Sequence, residues 1–154
     1  MSTVLSIQTL VDRFTSQGET YQQKYNEAQT RNDFINPFFS ALGWDVNNEQ
    51  NLTETYRPVV LEDTLKVGRA TKMPDYSFRV GGLRKFFVEA KKPSVNLKTD
   101  PEPAFQVRRY GWNAKLAISI VTNFAELAVY DCRVKPRKTD KASTARLWYL
   151  RYPD

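Results

Sequence analysis

Two short stretches carry residue types that could do chemistry together: Pro74-Asp75, and Glu89-Ala90-Lys91 on the strand expected after it. Side chains two apart on a strand share a face, so Glu89 and Lys91 are expected to project together. Two carboxylates and an ammonium in one place suit divalent-metal phosphodiester hydrolysis. Carboxylates hold Mg²⁺, with Mn²⁺ a ready substitute, and the lysine can orient the attacking water or offset developing charge.

The 154-residue chain has no histidine and a single cysteine, Cys132. That excludes Ser-His-Asp and Cys-His nucleophilic sites, histidine acid–base work, and zinc held by histidine or thiolates. Chemistry is left to carboxylates, lysine, tyrosine or hard metals bound through oxygen. A lone cysteine forms no intramolecular disulfide and suits a reducing cytoplasm, the expected location. No apolar run approaches a membrane span, so no membrane partner is expected. Residues 1–60 hold four Lys/Arg against seven Asp/Glu, and residues 61–154 hold nineteen against ten, a net −3 beside a net +9. The basic part contains the acid–lysine set and is interleaved with aromatics. On charge alone, a phosphate-rich partner and a solvated basic surface are even readings.

The positioning elements follow from pattern. Residues Thr3 to Ser16 read as a first helix. A longer one runs from Thr20 to Leu42, with Gly43 as its stop and Pro37 as a kink. Asn47 to Arg57 is polar loop, and Val59 to Val67 reads as a strand. Asp75 to Val80 and Lys85 to Lys91 read as strands joined at Gly81-Gly82, with Pro93 ending the second. Asp100-Pro101 caps and opens a helix to Lys115. Leu116 to Thr122 reads as a strand buried on both faces. It pairs with Glu126 to Asp131 through a turn at Asn123-Phe124. A basic loop fills residues 133–142, and Ala145 to Tyr152 is a last strand. The order strand, helix, strand across residues 85–122 implies a parallel pair with a right-handed crossover. The fold class is α/β, a small mixed β-sheet flanked by helices, in one domain.

Hairpin register decides whether the acids meet. A regular two-residue loop at Gly81-Gly82 sets Asp75 opposite Val88, on the wrong face for Glu89. A three-residue loop Gly81 to Leu83, or an equivalent bulge, sets Asp75 opposite Glu89 and pairs Phe78 with Phe86 and Tyr76 with Val88. Those aromatic and aliphatic pairs are the better ones, so the second register is expected. Facing carboxylates repel unless a cation lies between them.

At about 100° per residue, Glu27, Arg31, Phe34, Phe38 and Leu42 fall on one helix stripe. Glu27 could pair with Arg31 at i+4 or lean over the sheet towards the metal, and its alignment with Phe34 and Phe38 favours the inward reading. Gln106 and Tyr110 form a second i, i+4 pair beside Arg108 and Arg109. All four could contact phosphate or sugar. Spacing alone favours Tyr110 packing with Phe105 and Trp112 while the arginines are solvated.

With these residues in view the chain resembles the PD-(D/E)xK nucleases. Pro74-Asp75 with Glu89-Ala90-Lys91 matches their signature. The run Asn26-Glu27-Ala28-Gln29-Thr30-Arg31, leading to Phe34-Ile35-Asn36-Pro37-Phe38 and Leu42-Gly43-Trp44-Asp45, is similar to the first helix of the nuclease domain in type I and type IIG restriction–modification enzymes. Gln106-Val107-Arg108-Arg109-Tyr110 matches the Gln-x-x-x-Tyr motif of that group and of RecB-like nucleases. The resemblance covers roughly residues 20–131. It implies a restriction-endonuclease-like core, with Asp75, Glu89 and the Ala90 backbone carbonyl as metal ligands and Glu27 as an outer contact through water. Lys91 would be the catalytic lysine, and Gln106 and Tyr110 would position DNA or order the site, with Arg31, Arg108 and Arg109 around them. The implied reaction is Mg²⁺-dependent cleavage of double-stranded DNA.

Enzymes of that group carry methyltransferase and target-recognition domains and in some cases a helicase motor. The chain lacks a Gly-x-x-x-x-Gly-Lys loop. The expectation is an N-terminal nuclease domain, residues 1–154, of a larger restriction–modification polypeptide, with dimerisation as a route to double-strand cleavage. A stand-alone repair or junction-resolving nuclease, and a catalytically silent DNA-binding module of the same fold, are the alternatives.

Overall fold

The computed structural model describes residues 3–152. Its helices are α1 (Thr3–Ser16), α2 (Gly18–Lys24), α3 (Glu27–Thr30), α4 (Asn36–Ala41) and α5 (Pro101–Asn113), with a π-helical segment Arg31–Ile35 between α3 and α4. The strands are β1 (Val59–Leu61), β2 (Leu65–Val67), β3 (Ala70–Lys72), β4 (Tyr76–Val80), β5 (Leu83–Ala90), β6 (Ile118–Thr122), β7 (Glu126–Asp131) and β8 (Arg146–Arg151). Six of them form one mixed sheet in the order β1-β4-β5-β6-β7-β8, while β2 and β3 form a separate hairpin. Within the large sheet β5 and β6 run parallel and the other neighbours antiparallel. This is the α/β architecture expected, a restriction-endonuclease-like core with helices flanking the sheet. Among the described residues, no helix is long and apolar enough to cross a membrane.

The register of β4 and β5 is the one that brings the acids together, reached by the bulge and not by a longer loop. Val80 pairs with Leu83 across a two-residue turn, Gly81-Gly82, and both glycines have positive φ (59° and 82°). Such angles suit a tight hairpin turn of the hand that matches strand twist. The ladder then shifts between Phe78 and Arg79, leaving Lys85 unpaired, so that Phe78 faces Phe86 and Tyr76 faces Val88. The Phe78 and Phe86 rings stack with centroids 4.7 Å apart and planes 8° from parallel.

The expected long helix over Thr20–Leu42 is instead broken twice. Asn26 caps α3, with its side chain accepting from the Gln29 amide while the Gln29 side chain accepts from the Asn26 amide. That reciprocal pairing starts a new helix at Glu27. Pro37 causes the second disturbance. It has no N–H to give the Asp33 carbonyl, and its ring crowds that carbonyl. The helix widens ahead of it, with the Asn36 amide bonding back to the Arg31 carbonyl, and the Asp33 carbonyl accepts from the Arg13 guanidinium. The widened turn also spoils a stripe counted at 100° per residue. Phe34, Ile35 and Phe39 are buried, and Leu42 is exposed. The expected strand Val59–Val67 is likewise two short strands, split at Glu62 by a left-handed backbone (φ 54°).

The sheet buries different residues on its two faces. Tyr76, Phe78, Val88 and Ala90 pack on Ile35 and Phe39 on one side. On the other, Phe87 packs with Tyr110 of α5 and with Leu65 and Val67 of β2. Alternation puts Glu89 on this second face, under α5.

Candidate active site

Asp75 lies just before β4, and reciprocal contacts lock it to β5. Its amide donates to Glu89 Oε1 (3.0 Å), and its own Oδ2 accepts from the Ala90 amide (2.8 Å). Its Oδ1 accepts from Arg31 Nη1 at 2.7 Å. Arg31 therefore pairs with Asp75 and not with Glu27. Glu89 is only 4% exposed. Burial and then the Asp75 charge push its carboxyl up to about 9, outweighing the nearby Lys91 ammonium. Burial and the neighbouring carboxylate thus both favour the protonated form, and a further positive charge would favour the ionised one.

On the α5 side opens a cleft of about 690 Å³, and Glu27, Lys91, Gln106, Arg109 and Tyr110 all line it. Gln106 Nε2 donates to the Tyr110 hydroxyl (3.1 Å). Tyr110 packs with Leu65, Val67 and Phe87, and not with Phe105 and Trp112 as its spacing suggested. Its hydroxyl is raised above the ordinary phenol range by burial, with the Glu89 and Asp75 charges adding to the shift. Asp75 does not line that cleft; it lines a smaller recess of about 200 Å³ with Arg31, Asn36 and Glu62.

Two expected residues sit differently. Glu27 reaches the cleft wall, but among the described residues no three acids come close enough to hold a metal together. Arg108 is absent from the cleft. Its side chain is 1% exposed, and Nη1 donates to Asp140 Oδ2 at 2.7 Å. α5 turns Arg108 inward at a helix position next to Arg109, and its partner lies 32 residues away, beyond the reach of local spacing.

Lys72 and Lys138 also line the cleft, and the motifs above did not include them. The signal for Lys72 was present. Leu65-Lys66-Val67 and Ala70-Thr71-Lys72 flank Gly68-Arg69, a two-residue turn with glycine first. That is a hairpin pattern too short to stand out among longer strands.

No family model and no solved structure matches the chain. The chain is similar to the type II restriction enzyme and methyltransferase RM.Eco57I of Escherichia coli, with 46% identity over 144 residues. The match takes in 92% of this chain but 14% of the relative, so the chain spans a small part of that protein's length.

Proposed function

We propose that the chain is the DNA-cleaving module of a restriction–modification enzyme of the type I or type IIG kind, hydrolysing phosphodiester bonds of double-stranded DNA with Mg²⁺. One observation carries the reading: Asp75 and Glu89 are locked side by side at the head of two strands, with Lys91 two residues on and lining the cleft. The similarity to a protein named as both restriction enzyme and methyltransferase supports the same reading. By it, methyltransferase and target-recognition parts belong to the larger polypeptide.

The donor set fits a hard divalent cation. A nearly buried carboxyl pressed against a second carboxylate is an unfavourable place for two negative charges, and Glu89 is pushed up accordingly. A dication is the counter-charge that lets both ionise, and oxygen donors are the ligands it takes. Asp75, Glu89 and the Ala90 carbonyl would hold it. A Mg²⁺ bound there would supply a lowered water pKa and polarisation of the scissile phosphate.

The chain's own residues supply the rest. Arg31 and the Ala90 amide fix the Asp75 carboxylate from two directions. Lys91 orients the attacking water and offsets charge developing on the phosphate. Tyr110, steadied by Gln106 and by packing on Phe87, shields Glu89 from solvent, and Arg109 offers a guanidinium to the DNA backbone. Glu27 acts from the cleft wall through water.

Plasmid cleavage in Mg²⁺ tests the reading, comparing the intact chain with Asp75→Ala and Lys91→Ala. Each change is expected to lower the rate by about 10²-fold or more. Mn²⁺ binding, lost on Glu89→Ala, reads the same site without requiring turnover. Cleavage indifferent to both Asp75 and Lys91 would remove the assignment.

A further inference from the structure

Two basic elements far apart in the chain converge on the Lys91 cleft. The β2–β3 hairpin carries Lys66, Arg69 and Lys72 with no acid between Leu65 and Met73. Lys72 shares the inner face with Leu65, its register partner, and lines the cleft. The loop at residues 133–141 carries Arg133, Lys135, Arg137, Lys138 and Lys141 with one acid, Asp140, and Lys138 reaches the same cleft.

Both elements are held from beneath. Leu65 and Val67 are buried against Phe87 and Tyr110. At the hairpin's base, Arg84 binds Asp63 Oδ2 (2.8 Å) and the Thr64 carbonyl (3.0 Å). Under the loop, Asp140 accepts from the buried Arg108 at 2.7 Å and from the Arg137 amide at 2.9 Å. The Tyr130 hydroxyl donates to the Ala142 carbonyl at 2.6 Å. The loop's one acid is thus spent inward, leaving its cations outward. Neither Lys72 nor Lys138 makes an ion pair among the described residues.

We propose that the β2–β3 hairpin and the 133–141 loop are two jaws that grip the phosphate backbone of duplex DNA, with Lys72 and Lys138 as phosphate contacts. The proposal rests on the nuclease reading for its choice of polyanion. Its own basis is the convergence of two anchored basic elements on one cleft. Lysines on a solvated surface need no such anchoring, and the buried Arg108 offsets its desolvation cost through contacts made to the loop itself, Asp140 and the Val134 and Lys135 carbonyls. The cleft lining also has acids, Glu27, Asp100 and Glu102, but Asp100 is engaged in capping α5. Lys66, Arg69, Arg137 and Lys141 extend the positive surface outward on both jaws. A two-stranded ribbon is also a shape that a DNA groove admits.

The test is the salt dependence of duplex binding, measured with Ca²⁺ in place of Mg²⁺ for the intact chain, Lys72→Gln/Lys138→Gln, and Lys115→Gln. Lys115 lies at the far end of α5 and controls, per charge removed, for net charge. Each phosphate-contacting lysine removed lowers the slope of log affinity against log salt by about 1, so the double variant should lose about 2 and the control nothing. Circular dichroism confirms that the variants are folded. An unchanged slope in the double variant overturns the jaws, and so does an equal drop per lysine removed in Lys115→Gln. Absence of salt-dependent duplex binding by the intact chain overturns them as well. Plasmid cleavage sensitive to Asp75→Ala stands or falls separately, so failure of the jaws leaves the nuclease reading distinguishable.

Discussion

Arg31 donates to Asp75 Oδ1 at 2.7 Å, across the gap between the π-helical segment and β4. The guanidinium supplies the counter-charge on the Asp75 side of the acid pair. Arg31→Gln should therefore destabilise the metal-free protein by about 1–3 kcal/mol, because Asp75 Oδ1 loses its charged donor and only the Ala90 amide on Oδ2 remains. Divalent metal should restore more stability to the variant than to the intact chain. Thermal melts with and without Mg²⁺ read both effects, and identical melting in all four conditions would show the pair to be idle.

Glu89 gives the protein an unusual pH profile. Its ordinary value is 4.5, and burial followed by the Asp75 charge raises it to about 9 in the folded state. Between those values the native state keeps a proton that the unfolded state has released. Metal-free stability should fall as pH rises across that window, by at most about 1.4 kcal/mol per pH unit from this group. Glu89→Gln should flatten the slope, and Mg²⁺ should oppose it, since the cation favours the ionised carboxylate. Urea melts at pH 6, 7 and 8 measure it. A Glu89→Gln protein with the intact chain's slope would contradict the assignment.

What could be read from the chain depended on how local the governing interaction is. Phe78 and Phe86 announce their register because a wrong pairing would set Phe78 against Lys85. Whether the chain reaches that register by a third loop residue or a bulge is invisible, since both restore the same pairs. The break at Asn26 was legible in the Asn26/Gln29 capping pair but was hidden under a continuous helical pattern. Pro37 signalled a disturbance without saying that it would widen the preceding turn. Arg108 shows the opposite case. Its neighbour Arg109 faces the cleft, and only a contact with Asp140 made by the folded chain distinguishes the two.

Gly111 marks where α5 lies directly on the sheet. A Cβ there would meet Cys132 Sγ at 2.3 Å, Cys132 Cβ at 2.7 Å and Ser119 Oγ at 2.8 Å. In an exposed helix, replacing glycine with alanine is favourable by about 1 kcal/mol. Here Gly111→Ala should instead destabilise by about 1–3 kcal/mol or more, because α5 must lift from β6 and β7. Combining it with Cys132→Ala should cost less than the sum of the two single changes. Urea unfolding of the three variants decides the sign.

The bulge at Lys85 separates register from turn geometry. Deleting Lys85 leaves a two-residue turn in which Arg79 meets Arg84 and Phe78 still meets Phe86, so Asp75 still reaches Glu89. Deleting Phe86 leaves the same register but sets Lys85 against Phe78 in the aromatic stack with Trp44 and Phe39. The first variant should fold and retain Mn²⁺ binding. The second should lose stability by about 2–3 kcal/mol, below the scale of a fully buried phenylalanine, because Phe86 is half-buried against the core. A folded Lys85 deletion that no longer binds Mn²⁺ would mean that the bulge shapes the site itself, and that strand register alone does not bring the two acids into working position.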